Sequence, residues 1–214
     1  MFNFDAQQIF VLHPRQGGGG IVSAILSLDE SSAALNFKNL SVNQKAQDMK
    51  SHFVRDYDPE FGPNAHPYNF INFGHPFHLG FMEQADLAPR YMHKGHFYEL
   101  FDEKNKQLLE KMSHKLSVGI SFTEECIEKV DAIRTLKYPV DHYQKWIYDN
   151  QKTLLPQHFN IDCRHTIEFR DLLEETKFLD HIAYCCEVFD LKIDMTLAQD
   201  LVQGWHKKII KETP

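Results

Sequence analysis

No apolar run in the 214-residue chain approaches the ~20 residues that a bilayer-spanning helix needs, so a membrane protein of the helical kind is not expected. The opening Met1-Phe-Asn-Phe-Asp-Ala-Gln-Gln8 has neither the basic cluster nor the long apolar stretch of a secretory leader, which sets the expectation of a cytoplasmic protein. Positive charge is scarce: 23 Lys and Arg stand against 30 Asp and Glu, a formal net charge of −7. Binding to a nucleic-acid backbone rests on many Lys and Arg contacts, so no nucleic-acid partner is expected. Cysteine is sparse too. Cys126, Cys163, Cys185 and Cys186 form no Cys-x-x-Cys pair and read as free thiols of a reducing compartment. Several reaction signatures are also missing. There is no Gly-Lys-Ser/Thr to end a nucleotide-hydrolase loop, no Gly-x-Ser-x-Gly elbow, no His-Glu-x-x-His and no dinucleotide glycine fingerprint. Ordinary ATPases and kinases, serine hydrolases, metalloproteases and dehydrogenases therefore have no support.

What the chain does contain is core material. It is 43% hydrophobic and 13% aromatic, with 17 Phe, and its mean hydropathy of −0.44 belongs to a water-soluble protein. Without repeats or linkers, residues 1–214 are expected to form a single domain. The continuous apolar run Gln8-Ile-Phe-Val-Leu-His13 predicts a strand buried on both faces. Ile21, Ala24, Ile25 and Leu28 recur at helical spacing just after it, and a second helix is expected after Ser41. Further strands are expected over residues 68–73, 116–122 and 164–169, with residues 77–101 mostly irregular. Asp102 is placed to cap a short helix carrying Leu108, Leu109 and Met112, and Thr123 to cap another. Phe178, Ile182, Cys185 and Phe189 share one face of a helix over 174–189. Thr196 with Gln199 reads as a capping box for the last helix, with Met195 as its staple. Strands that alternate with helices predict an α/β fold: a three-layer α/β/α sandwich around a mostly parallel sheet.

The sharpest local feature is His13-Pro-Arg-Gln-Gly-Gly-Gly-Gly20, between the first strand and the first helix. Ligands of open parallel sheets bind beyond the carboxyl ends of the strands. A glycine-rich turn there lets backbone N–H groups converge on an anion, the helix N-terminus adds positive partial charge, and Arg15 supplies a full charge. The alternative is a flexible connector in which glycine serves only the turn.

Strand-Pro-Arg-x-Gly-Gly before a helix resembles the 5′-phosphosulfate loop of P-loop sulfotransferases, enzymes that use 3′-phosphoadenosine 5′-phosphosulfate (PAPS). Thr166-Ile-Glu-Phe-Arg-Asp-Leu-Leu173, the helix ending Glu187-Val-Phe-Asp-Leu191 and a closing helix with Trp205-His206 are similar to that family's C-terminal stretch. The resemblance implies a P-loop NTPase-like scaffold on which Arg15, Gln16, Gly17, Gly18, Gly19 and Gly20 hold PAPS. It implies further that His75, in Asn72-Phe-Gly-His-Pro76, acts as general base beside Arg15, an imidazole being able to take a proton from an attacking hydroxyl. The chain departs from the pattern in two places. Gly19 and Gly20 replace hydroxyl side chains. Ile120-Ser-Phe-Thr-Glu-Glu125 stands where an Arg and a Ser hold the 3′-phosphate, leaving Ser121 and Thr123 as hydrogen-bond donors without charge.

The implied function is sulfuryl transfer from PAPS, a small nucleotide, to an unspecified hydroxyl or amine acceptor. A non-catalytic binding protein with an eroded site, and a phosphotransferase with an unusual loop, remain as alternatives. His75-Pro-Phe-His78 and His93-Lys-Gly-His96 offer four nitrogens, but nothing in the sequence brings the pairs together, and turn or solvent-facing histidines are expected rather than a metal site. Asp56, Asp58 and Glu60 lack the turn glycine of a calcium loop. Phe70, Phe73, Phe77 and Phe81 read as core and pocket wall.

Overall fold

Ile9, Phe10, Val11 and Leu12 are all fully buried, as a strand covered on both faces requires. Their strand, β1 (Gln7–His13), lies at the centre of a five-stranded sheet in the computed structural model, which describes residues 3–14, 17–29, 31, 70–72, 89–101, 103–121 and 156–212. The other strands are β2 (Phe70–Asn72), β3 (Arg90–His96), β4 (His114–Ser121) and β5 (Asp162–Glu168). Their order across the sheet is β2-β3-β1-β4-β5, and every pairing is parallel. The helices are α1 (Gly19–Leu26), α2 (Glu103–Lys111), α3 (Glu175–Phe189) and α4 (Met195–Glu212). The protein is therefore α/β with a parallel sheet. Among the described residues, no helix is long and apolar enough to cross a membrane.

Alternation along β1 separates two cores. Ile9 and Val11 join Met92, Val118, Ile120 and Ile167 against α1, α3 and α4. Phe10 and Leu12 join Tyr91, Phe97, Leu108, Leu109 and Met112 on the opposite face, which α2 covers. After β1 the chain moves outward towards β2, with α1 on the first face. After β3 it crosses β1 to reach β4, with α2 on the second. Right-handed crossovers that run in opposite directions demand opposite faces. The carboxyl end of β1 is thus where successive connections diverge, the place at which a parallel sheet opens a crevice.

The expected stripe on α3 is present: Phe178, Ile182, Cys185 and Phe189 are all buried. Two expectations are corrected. Residues 90–96, expected to be irregular, form β3, and residues 97–101 form a 3-10 turn. The segment Arg-Tyr-Met-His-Lys-Gly-His carries little apolar pattern because its burial is made possible by partners. His93 donates through Nε2 to Gln8 Oε1 at 2.6 Å and stacks on Phe10 at 4.6 Å between ring centroids. The Gln8 amide in turn donates to the carbonyls of Asn3 and Ala6 at 3.1 Å. Complete burial lowers the His93 pKa to about 3, so the ring is neutral. Its burial removes His93 from the solvent-facing histidines expected there. The second correction concerns α4, which Asp194 rather than Thr196 caps. Asp194 Oδ1 accepts the Thr196 N–H at 2.8 Å, and Gln199 reaches across to Glu175 instead.

At the amino edge of the sheet, α1 is fastened by a buried ion pair. Asp29, 1% exposed, accepts from Arg90 Nη1 at 3.1 Å and from the Lys192 backbone N–H at 2.8 Å. Arg90 also donates to Gln7 Oε1 at 3.0 Å and to the Asp190 carbonyl at 2.8 Å. One cluster thereby joins β1, β3, the end of α1 and the segment between α3 and α4.

Candidate anion site at the carboxyl edge of the sheet

The turn that leaves β1 closes with the Gly17 N–H donating to the Pro14 carbonyl at 2.9 Å. Gly18 follows with φ of 72°, a left-handed conformation that favours glycine, and it stands at the N-cap of α1 with no side-chain cap. The first intrahelical bond runs from the Val22 N–H to the Gly18 carbonyl at 3.2 Å. The N–H groups of Gly19, Gly20 and Ile21 come before it, and no acidic residue occupies the first turn of the helix. A helix start of this kind carries uncompensated positive partial charge.

The four glycines do not share one reason for being glycine. A Cβ at Gly17 would lie 2.9 Å from the Pro14 carbonyl oxygen, and one at Gly18 2.8 Å from a methyl of Leu172. At Gly19 it would fall 1.9 Å from Cδ2 of His13, whose buried ring lies against the helix start. His13 donates through Nδ1 to the Pro14 carbonyl at 2.9 Å, which orients the ring. Packing therefore accounts for three of the four positions. Gly20 is different: no atom among the described residues lies within 4 Å of where its Cβ would be, and its φ is not in the left-handed region. Neither crowding by the described residues nor backbone conformation calls for glycine there.

The loop is backed by a 3-10 turn, Phe169–Leu173, and by α4. Leu172 and the edges of Phe169 and Trp205 surround Gly18. His206 donates through Nε2 to the Leu172 carbonyl at 2.7 Å, and Trp205 meets Phe178 edge to face at 5.7 Å. The sequence assigns none of these residues, His13 foremost, a role in supporting the loop. A histidine at the end of a buried strand, on the side that alternation assigns to the following helix, is the one signal that points to His13.

Of the residues expected to bind or react, the structure brings Gly17, Gly18, Gly19 and Gly20 together at this edge. Ser121 ends β4, the strand beside β1, at the same edge, and its hydroxyl lies 3.5 Å from the Ile167 carbonyl. Arg15, Gln16, His75, His78 and Thr123 lie outside the described residues. A cation not singled out by the sequence is Lys94, 8% exposed on β3, where it pairs with Val11 two positions before the end of β1. Its parity with Met92 assigns it to the α1 face. Burial disfavours the thiolate at two cysteines, pushing the Cys185 thiol up to about 12 and Cys186 up to about 11.

Comparison with protein-family models gives no match, and no curated protein matches the chain.

Proposed function

We propose that the turn after β1 and the start of α1 cradle a phosphate or sulfate group, on a P-loop NTPase-like, three-layer α/β/α scaffold. We propose further that the reaction served is sulfuryl transfer from PAPS to a hydroxyl or amine acceptor. The observation that carries the reading is Gly20. It stands in the first turn of a helix whose amides precede its own bonding, with no described residue within 4 Å of its Cβ position, where Ala would be the better helix former. A glycine kept there suits the close approach of a ligand to the backbone.

The residues present fit such a donor in part. Gly19, Gly20 and Ile21 offer amides to the 5′-phosphosulfate, and Arg15 offers charge. Among the described residues, the end of β4 brings the Ser121 hydroxyl to a 3′-phosphate. Lys94, buried beside β1, is the cation we assign to compensate. The donor supplies an activated sulfuryl group. The chain's share is to fix its oxygens against preorganised N–H groups, which stabilise charge without reorganisation, and to remove the acceptor's proton through His75.

A second reading, the scaffold without catalysis, is favoured by the packing of Gly17, Gly18 and Gly19, which needs no ligand to explain it. Isothermal titration with adenosine 3′,5′-bisphosphate separates the two. Saturable binding that weakens at least tenfold in Arg15→Ala and in Lys94→Met is expected. Absence of heat at millimolar nucleotide refutes the transferase reading and leaves the scaffold.

A further inference from the structure

A second group of polar side chains meets at the outer edge of the sheet, where a β-bulge re-aims one of them. Ser117 of β4 pairs with Cys163, yet the next residue, Val118, pairs with His165, so Arg164 is the extra residue of β5. The bulge moves His165 onto the face that carries Ile167 and α3. There its Nε2 lies 2.8 Å from Nδ1 of His181, and Nε2 of His181 lies 3.4 Å from Oδ2 of Asp171. An ionised carboxylate only accepts. His181 therefore donates to Asp171 through Nε2 and keeps its lone pair on Nδ1, and His165 donates to that lone pair.

Among the described residues, the surroundings supply little compensation for added charge. The Tyr184 ring lies 4.5 Å from His165, and Val118 opposite it on β4 is apolar. Lys177 and Arg170 already address Asp171, at 3.3 and 3.9 Å, while binding Glu174 and Glu168. Arg164 is paired with Asp162 at 2.7 Å. One proton can be shared between the two imidazoles. A second would set two N–H groups against each other at 2.8 Å with no acceptor between them. Asp171 directly precedes Leu172, the residue that closes on Gly18 and accepts from His206.

We infer that His165, His181 and Asp171 form an acid-released latch on the turn behind the glycine loop, and that its opening weakens anion binding at that loop. The second clause rests on the proposed anion site; the first does not. Burial, then the charge that His181 carries once it takes up the shared proton, lowers the His165 pKa to about 4 from its ordinary 6.5. The open form binds a proton that the latched form refuses, so the latch is intact above pH 6.5 and loses stability as pH falls towards 4.

Hydrogen exchange at pH 7 and 4.5, corrected for intrinsic rates, tests the latch on the full chain. Protection of amides 169–174 is expected to fall about tenfold more than that of α1, the half-exposed position of His165 reducing the full effect. H165Q, which can still donate to His181, is expected to remove this excess, and H181Q provides the same test should H165Q fold poorly. An equal excess in both variants, or loss spread evenly over α1 and the turn, overturns the latch. Sulfate, a dianion throughout this range, probes the coupling. Affinity is expected to fall about tenfold on acidification in the wild type and to hold steady in H165Q. Sulfate binding that ignores pH while the turn opens overturns the coupling. No sulfate binding at either pH overturns the anion site and the coupling together, and the exchange data alone then judge the latch.

Discussion

Gly19 and Gly20 are chemically identical neighbours with opposite tolerance. In Gly19→Ala the new methyl falls inside the His13 ring, so either the ring or the helix start must move. We expect a loss of about 1–3 kcal/mol, the usual cost of overpacking, read from urea unfolding. In Gly20→Ala the methyl meets none of the described residues in a helical turn, and stability is expected to rise by about 0.5–1 kcal/mol. The same substitution obstructs backbone approach at the cradle and is expected to weaken sulfate binding. Higher stability with lower affinity is the signature of a glycine retained for a ligand; higher stability with unchanged affinity counts against the cradle.

The elements of the fold differ in how they depend on each other. Asp29 and Arg90 tie three of them together at the amino edge, and their burial makes the pair asymmetric to mutation. Arg90→Met leaves a carboxylate at 1% exposure without its cation, and we expect a loss of about 3–5 kcal/mol in urea unfolding. The double variant Arg90→Met with Asp29→Leu is expected to recover much of it. The elements legible in the sequence were those whose pattern has one meaning. The continuous run of β1 and the spacing of Phe178, Ile182, Cys185 and Phe189 leave no choice of period. β3 was not legible. Its burial depends on Gln8 and Phe10, more than 80 residues away in the chain, which accept the His93 proton and stack on its ring. The cap of α4 shows a smaller ambiguity: Asp194 and Thr196 both suit an N-cap, and helix phase decides between them. At the site, the glycine loop was legible as a position but not as a set of reasons, because His13, Leu172 and Trp205 reach it only through the tertiary fold.

At the scale of the whole molecule, the neutral interior histidine sets an acid limit. His93 is completely buried with a pKa near 3, whereas the unfolded chain takes up a proton near 6.5. Below about pH 6.5 the unfolded chain binds more protons, so global stability falls with pH until about 3. The urea midpoint is expected to drop between pH 7 and 4.5, and His93→Gln, which keeps a donor for Gln8 without titrating, is expected to flatten that decline. A slope unchanged in the variant would locate the acid sensitivity elsewhere.

The central place of β1 has a consequence for synthesis. Gln7–His13 leaves the ribosome before its flanking partners, β3 and β4, which begin at Arg90 and His114. Seven residues without a charge or a proline, four of them strongly apolar, must wait for β3 before one edge is covered and for β4 before the other is. Such a segment can join copies of itself into aggregates. A cell that makes this protein faster than its chaperones can shield that segment should accumulate inclusion bodies seeded from β1.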